Sequence, residues 1–329
     1  MKVVITDHVY PSLDYERQAL SEIGAHLVLA ESTSESALAL LCRDADVVIT
    51  CYAQITGAVI ENMEKCLLIS KTGIGVNNID VATATRCGIA VTNVPDYCID
   101  EVSDHALAAM LCFARKIPFL NDYVKRGNWS FSEHRPIHRL RGSTLGLVGF
   151  GQIARALAEK ARPLGLRMVV SDPFVDASTI AEFGASKVSL EELLRESDYI
   201  SLHVPLTPET RGLIGKDTLS LVKPGAFLIN TSRGQLVDES ALHEALVSGR
   251  LAGAALDVLE REAYDSENPL FALDNVIITP HSAFYSEEAV QELREKVIAE
   301  CVRVLTGKSP KYLVNKEWRF SPNRRLREA

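Results

Sequence analysis

The chain has 329 residues, of which 47% are hydrophobic and 24% are charged, and its formal net charge at pH 7 is −8. This composition is typical of a globular protein and leaves room for two domains with separate cores. An acidic chain without a concentrated basic face argues against nucleic acid as a direct ligand. The basic cluster near the C-terminus is interpreted as a solvated chain end and comprises Arg324, Arg325 and Arg327.

Membrane, secretory and metal-binding functions find no support in the sequence. The longest wholly apolar run, from Ala106 to Ala114, is shorter than the roughly 20 residues that span a bilayer. The beginning MKVVITDH resembles a strand rather than a signal peptide, and seven scattered cysteines without a CxxC pair favour reduced thiols in a cytoplasm. Pro136 separates His134 from His138 and breaks the helix that would bring both rings together, so no metal is predicted.

In chain order, residues 1 to about 91 alternate short apolar strands such as KVVIT and DVVIT with amphipathic helical segments. DEVSDHALAAMLCFARK then predicts one long connecting helix with an acidic first turn. The strand and helix alternation resumes from Thr144 and continues to NVIITP, and a further helix follows His281. We predict an α/β protein with two Rossmann-like or flavodoxin-like domains, parallel sheets and a cleft between them.

A glycine turn joins the strand TLGLVGF to the helical segment that follows it. Gly149, Gly151 and Ala154 form GxGxxA, and Asp172 closes the next strand. Gly149 permits the tight turn, Gly151 leaves room for a pyrophosphate, and a small third residue lets the helix lie close to the strand. Asp172 is placed to accept a ribose hydroxyl and would repel a 2′-phosphate, so the sequence favours NAD over NADP.

Three polar residues follow separate apolar strands of the second unit: Arg233 after AFLINTS, Glu262 after LAGAALDVLER, and His281 after VIITP. Ligands of open α/β sheets bind at such carboxyl ends. Arg233 could hold a carboxylate through two parallel hydrogen bonds. His281 could transfer a proton, and Glu262 could fix its tautomer and favour the imidazolium. Together the three residues predict a catalytic site.

In this order and spacing, GFGQIA with Asp172, NTSRG, ALDVLEREA and TPHSAF resemble the D-isomer-specific 2-hydroxyacid dehydrogenases. The resemblance covers nearly the whole chain and includes KTGIGVNNID and NVPDYCIDEVSDHALAAML. Within the family it is nearest the branch of C-terminal-binding-protein homologues and phosphoglycerate dehydrogenases. Ala154, in place of a third glycine, and Ala263, where proline is common, depart from the family pattern. The second departure could shift the loop that carries Glu262.

The resemblance implies Arg233, Glu262 and His281 as catalytic residues, with backbone amides around Gly75, Val76 and Asn77 holding the substrate beside Arg233 and His281. It also implies a set of residues that line the NAD site beside Gly149 and Gly151: Gln152, Ile153, Asp172, His203, Pro205, Thr231, Ser232, Arg233, Asp257 and His281. Residues 1–100 with 287–329 would form a discontinuous substrate-binding domain, and residues 101–286 the NAD-binding domain.

We therefore expect an oxidoreductase that moves a hydride between nicotinamide and C2 of a small 2-oxo or D-2-hydroxy acid. The substrate would lie between the domains, which would close about a hinge. A second hypothesis is an NAD-sensing dimeric scaffold, similar to corepressors, with little turnover. The family further implies a homodimer.

The sequence leaves the identity of the acid open. Lys71, Arg115 and Arg135 could each meet a substrate phosphate or be solvated. No C-terminal regulatory domain is expected after the final helix.

Overall fold

The computed structural model describes residues 1–326, which contain twelve β-strands and twelve α-helices. The strands are β1 Lys2–Ile5, β2 His26–Leu29, β3 Val47–Thr50, β4 Leu68–Lys71, β5 Ala90–Thr92, β6 Thr144–Val148, β7 Arg167–Ser171, β8 Ala185–Lys187, β9 Tyr199–Leu202, β10 Ala226–Asn230, β11 Leu251–Leu256 and β12 Val276–Ile278. The helices are α1 Asp14–Ser21, α2 Glu35–Leu41, α3 Gly57–Glu61, α4 Val81–Arg86, α5 Ile99–Arg115, α6 Ile117–Lys125, α7 Gln152–Ala161, α8 Ala177–Glu182, α9 Leu190–Glu196, α10 Lys216–Leu221, α11 Glu239–Val247 and α12 Glu287–Leu305.

The chain divides into two compact units: Met1–Tyr97 with the residues from Ser286 onward, and Cys98–Tyr285. The first unit contains a five-stranded parallel sheet in the order β2-β1-β3-β4-β5. Strands β3, β4 and β5 are buried along their whole length, as expected for a parallel sheet covered on both faces. Burial on both faces explains why β3 and β5 begin with consecutive apolar residues rather than alternating apolar and polar ones.

The second unit contains a seven-stranded parallel sheet in the order β12-β11-β10-β9-β6-β7-β8. All strands run parallel, but the order in which the chain adds them reverses after β8: β7 and β8 lie on one side of β6, and β9 to β12 lie on the other, with β9 paired to β6. Open α/β sheets bind ligands at the carboxyl ends of strands beside such a reversal. The predicted α/β class with two parallel sheets is therefore confirmed, and the reversal places the glycine turn where a dinucleotide would bind.

Helix α5 provides a rigid wall for the second sheet. Asp100 and Glu101 in its first turn place negative charge at the positive end of the helix dipole, which stabilises the helix. Its buried face includes Ala106, Met110 and Phe113, which pack in the same core as β6 and β10. The helix ends at Lys116, whose positive φ of 52° stops the helical hydrogen bonding. The buried face of α5 is thus packed against the strands.

The C-terminal segment packs within the first unit. Trp318 is fully buried and its indole N–H donates to the carbonyl of Gly88 at 2.9 Å. The interpretation of the basic cluster as a solvated end is wrong for two of its residues. Arg325 donates to the carbonyl of Met63 at 2.8 Å, and the Arg324 guanidinium lies 5.2 Å from the Trp318 ring centroid. Both are partly buried because backbone carbonyls and an aromatic face offer partners there, while Arg327 lies outside the described residues.

No helix among residues 1–326 has the length and hydropathy needed to cross a membrane. Within the same residues, no cluster of three or more histidine, cysteine, aspartate or glutamate side chains is arranged to hold a metal ion.

Candidate active site

The glycine turn after β6 has the geometry that a bound dinucleotide requires. Gly149 has a φ of +88°, and a Cβ there would lie 2.8 Å from the carbonyl oxygen of His203. Gly151 occupies the N-cap of α7, and a Cβ built on it would meet no atom within 4 Å. An open N-terminus without a side-chain cap leaves a helix dipole directed at a ligand. The residues present therefore fit a pyrophosphate at this turn.

Helix α7 carries three other predicted residues. Gln152 is exposed at its first position, Ile153 is half-buried, and Ala154 is fully buried. Ala154 belongs to the core that holds α5 and β6, so the departure from a third glycine is accommodated by close packing.

Asp172 follows β7 and is partly exposed. One carboxylate oxygen accepts the amide of Phe150 at 2.8 Å, and the other accepts the amides of Phe174 at 2.7 Å and Val175 at 3.1 Å. A carboxylate offers about four acceptor positions, so one remains for a hydroxyl of the ligand. The turn thus holds the carboxylate beside the glycine turn with an acceptor position available.

His203 and Pro205 follow β9, next to the glycine turn. The His203 ring nitrogen Nε2 lies 2.9 Å from the Ser201 hydroxyl, and burial lowers the pKa of His203 to about 4. The carbonyl of Pro205 accepts the Thr210 hydroxyl at 2.7 Å. His203 is therefore neutral at physiological pH and could act only as a neutral hydrogen-bonding group.

Thr231 and Ser232 follow β10. The Ser232 hydroxyl donates to the carbonyl of Leu202 at 2.7 Å and ties the turn to β9. The Thr231 Oγ1 atom is buried and has no hydrogen-bond partner among the described residues. A buried hydroxyl without a partner costs free energy, which a polar group of a ligand would recover.

Arg233 is held by two neighbours in its own turn. Its carbonyl accepts the side-chain Nδ2 of Asn230 at 2.8 Å, and its guanidinium Nη1 donates to the backbone carbonyl of Ser232 at 2.5 Å. A Cβ on the following residue, Gly234, would lie 1.9 Å from the carbonyl carbon of Leu259. The loop after β10 therefore packs backbone to backbone against the loop after β11, which carries Glu262.

His281 and Glu262 form a direct pair. The imidazole Nδ1 lies 2.8 Å from Glu262 Oε2, and the two side chains keep 26% and 38% of their accessible surface. Because a carboxylate only accepts, Nδ1 carries the proton and Nε2 is left facing away from the pair. The predicted partnership is thus present in the geometry, and β10, β11 and β12, which precede the three catalytic candidates, are neighbours in the sheet.

Asp257 ends β11 and is 3% exposed. Its carboxylate accepts the Thr279 hydroxyl at 2.5 Å and the amides of Ser282 and Ala283, both at 2.9 Å. Its contacts are therefore directed at the turn that carries His281.

The glycine loop after β4 belongs to the first unit. Gly75 and Val76 are half-buried and Asn77 is exposed. The loop is anchored through the carbonyls of Gly73 and Ile74, which accept the Val94 amide at 3.0 Å and the Asn93 side chain at 2.7 Å. Backbone anchoring of this kind defines the path of the loop.

Sequence comparison assigns the family. Residues 107–283 match the D-isomer specific 2-hydroxyacid dehydrogenase, NAD binding domain. The chain belongs to this family. Its cofactor is NAD, for which the glycine turn and Asp172 supply fitting contacts.

Two curated relatives and one solved structure illustrate the likeness. The chain is 39% identical to D-3-phosphoglycerate dehydrogenase of Methanocaldococcus jannaschii over 96% of its own length and 59% of the relative's, so it spans little more than half of that protein. It is 41% identical to glyoxylate reductase of Thermococcus litoralis over 84% of its length and 85% of the relative's. D-lactate dehydrogenase from Aquifex aeolicus, crystallised with NAD and lactic acid, superposes with a TM-score of 0.85 and 30% identity, covering 93% of this chain and 96% of that one.

Sequence reasoning missed three residues beside the pair. Gly234 permits the backbone contact with Leu259. The Thr279 hydroxyl is hydrogen bonded to Asp257, and His105 is hydrogen bonded to Thr279. Thr279 stands two residues before His281, which was a usable signal. No sequence signal pointed to His105, because it is one polar residue among several on an amphipathic helix.

Proposed function

We propose that the protein interconverts a small 2-oxo acid and the corresponding D-2-hydroxy acid with NAD as hydride carrier. The 2.8 Å contact between His281 and Glu262 supports this most directly. It provides an oriented proton-transfer group at the carboxyl edge of the sheet that also carries the glycine turn. When bound, NAD supplies or accepts the hydride at C4 of its nicotinamide ring.

His281 would exchange the proton of the substrate oxygen. Glu262 holds the Nδ1 proton, so the proton that moves is the one on Nε2. In reduction, the imidazolium gives its Nε2 proton to the carbonyl oxygen and becomes neutral while retaining the Nδ1 proton. In oxidation, neutral Nε2 removes the hydroxyl proton. Glu262 stabilises the imidazolium in both directions by hydrogen bonding and charge.

Arg233 would orient the acid. Its guanidinium can donate two parallel hydrogen bonds to a carboxylate, which fixes the plane of the group and the adjacent C2. We also propose that the amides around Gly75, Val76 and Asn77 contact the carboxylate, and that the residues following β6, β7, β9 and β10 bind NAD. NAD is favoured over NADP because Asp172 is an acceptor that already receives three amides and would repel a phosphate.

The three cations considered for a substrate phosphate differ in placement. Lys71 is 8% exposed, its ammonium donates to the carbonyl of Cys51, and it lies 5.7 Å from the Tyr52 ring centroid. Arg115 and Arg135 are exposed. None of the three is therefore assigned to a substrate phosphate, and the proposed substrate is a small 2-oxo acid.

A substrate panel tests the proposal. Purified protein would be mixed with NADH and, in turn, glyoxylate, hydroxypyruvate, phosphohydroxypyruvate, pyruvate and bulkier 2-oxo acids, and NADH oxidation would be followed at 340 nm. Turnover with at least one acid is expected. Tight NADH binding without turnover of any acid would refute the proposal and favour the scaffold hypothesis.

We further propose a homodimer formed through the segment after α5. This segment exposes Ile117 by 59%, Trp129 by 90% and Phe131 by 59%, and we propose that these side chains contribute to the surface between the two copies. Light scattering should report twice the chain mass for the natural protein and a lower average mass for Trp129→Glu. A monomeric natural protein would contradict the proposal.

A cytoplasmic location is also proposed. All seven cysteines are thiols in the structure, and burial raises the pKa of Cys42 and of Cys51 to about 11. Thiols protected in this way suit a reducing compartment.

A further inference from the structure

The turn that carries His281 has an unfavourable backbone conformation. His281 has a φ of +51°, in the left-handed region, where a side chain with a Cβ is strained and which residues other than glycine uncommonly occupy. The turn is held nonetheless, since the His281 amide approaches the carbonyls of Asp257 at 2.8 Å and Thr279 at 3.0 Å. The position of the imidazole therefore depends on the groups that hold this turn.

The carboxylate of Asp257 supplies most of the remaining restraint. Its side chain is 1% exposed, so its charge must be compensated by protein donors. Those donors are the amides of Ser282 and Ala283 and the hydroxyl of Thr279. Two of the three donors are the residues immediately after His281, so rotating the carboxylate would move the turn.

Proton counting assigns the next bond. The Thr279 hydroxyl has one proton, and its 2.5 Å contact with a carboxylate that cannot donate commits that proton to Asp257. The 3.1 Å contact between Thr279 Oγ1 and His105 Nε2 must then have the imidazole as donor. His105 lies on α5, between core residues that include Ala106, and so fixes the hydroxyl against a rigid helix.

We propose that His105 and Thr279 are positioning residues that hold His281, through Asp257, in the geometry needed for proton transfer. The proposal rests on the function proposed above for His281. Neither residue needs to touch substrate or cofactor. His105 anchors the threonine rotamer, the threonine orients the carboxylate, and the carboxylate holds the strained turn.

Matched substitutions at Thr279 separate the hydroxyl from the shape of the side chain. Thr279→Val is nearly isosteric and removes the donor, whereas Thr279→Ser keeps the hydroxyl. With a substrate found in the panel, kcat should fall about 10- to 100-fold in the valine variant, as expected for misplacement of a reacting group. The serine variant should stay within about threefold of the natural protein, and the Kd for NADH should be unchanged in both.

His105 offers the same contrast. His105→Gln places an N–H near the position of Nε2, and His105→Leu removes it. A cavity of about 170 Å³ beside His105, Thr231 and Thr279 leaves room for either side chain. Only the leucine variant should lose kcat. The double variant His105→Leu with Thr279→Val should be no slower than Thr279→Val alone, because both act through one bond.

A measurement that needs no turnover keeps the proposal separable from the proposed reaction. In histidine-labelled protein, the His281 Cε1–H resonance, assigned with His281→Gln, should be a single sharp line. It should broaden or double in Thr279→Val and His105→Leu and remain sharp in Thr279→Ser and His105→Gln.

The outcomes separate cleanly. An unaltered His281 resonance in both donor-free variants would overturn the positioning proposal, even if no acid is turned over. Equal kcat losses in Thr279→Ser and Thr279→Val, or an equal fall in NADH affinity and kcat, would also overturn it, because either result indicates a general structural effect.

Discussion

The carboxyl edges of the two sheets each contain an aspartate that accepts three backbone amides, yet the two differ in their surroundings. Asp7 follows β1 and accepts the amides of Cys51 at 3.0 Å, Tyr52 at 2.6 Å and Ala53 at 3.2 Å, all in one turn of the first unit. Asp172 follows β7 and accepts the amide of Phe150 together with two of its own turn.

The difference lies in what surrounds each carboxylate. Burial by itself would raise the pKa of Asp7, but the backbone donors of Tyr52 and Cys51 outweigh it and hold the pKa below its ordinary value. Asp7 therefore stabilises a turn as a permanent anion. Asp172 lies beside the glycine turn and the open N-terminus of α7. Equivalent placement in two parallel sheets thus gives a structural role in one unit and a proposed binding role in the other.

The largest contrast is expected between histidines. His281→Ala should lower kcat by about three orders of magnitude, since a general acid contributes roughly 10²–10⁴-fold, while NADH binding remains. The matched control is His26→Ala, an exposed strand residue of the first unit, which should leave kcat unaltered. Steady-state kinetics and NADH fluorescence titration measure both, and retained turnover in His281→Ala would remove the proposed mechanism.

Replacing a glycine should lower the unfolding free energy more at Gly149 in the second unit than at Gly73 in the first. Gly149→Ala combines a φ of +88° with a Cβ 2.8 Å from the His203 carbonyl, and should cost about 3 kcal/mol of unfolding free energy. Gly73→Ala also has a positive φ, 136°, but its Cβ would meet only the Lys71 side chain at 3.6 Å, so about 1–2 kcal/mol is expected from strain alone. Urea unfolding compares them. Equal costs would show that the close approach to His203 is unimportant.

A pH effect is expected from His203 in the second unit. Its pKa is lowered by burial to about 4, whereas a histidine of the unfolded chain titrates near 6.5. Only the unfolded state gains a proton between these values. The contribution is therefore fully present above about pH 6.5 and falls by about 3 kcal/mol as the pH approaches 4.

Urea unfolding at pH 7 and pH 4.5 would measure this loss. The difference between the two pH values should shrink in His203→Gln and stay as in the natural protein in His26→Gln. A full loss retained in His203→Gln would assign the pH effect to other groups.

The smallest effect is expected at the aspartates. Asp172→Asn should weaken NADH binding by about 5- to 10-fold, because a neutral amide oxygen replaces a charged acceptor in one hydrogen bond, and should improve NADPH binding relative to NADH. Asp7→Asn should lower stability without altering NADH affinity. Calorimetric titration with both nucleotides provides the comparison, and an unaltered NADH affinity in Asp172→Asn would argue against the ribose contact.

The sequence predicted the fold and the glycine turn well, because both follow from local properties. Short β-branched runs such as VVIT favour a strand covered on both faces, and Gly149 has a φ that other residues avoid. The pairing of His281 with Glu262 was also predictable from order along the chain. The solvated interpretation of Arg324 and Arg325 failed because the tail packs against a distant part of the chain: Met63, whose carbonyl accepts from Arg325, lies 262 positions away.

By itself, then, the sequence determined the two parallel α/β units, the glycine turn and the residue types able to transfer a proton. Only the tertiary structure decided how His281, the proposed proton-transfer group, is held. The hydrogen bond between His105 and Thr279 joins residues 174 positions apart, and the one between Thr279 and Asp257 joins residues 22 positions apart. The backbone of Gly234 also packs against that of Leu259. Periodicity and turn chemistry act over a few residues, so contacts at such separations arise only when the strands are placed side by side.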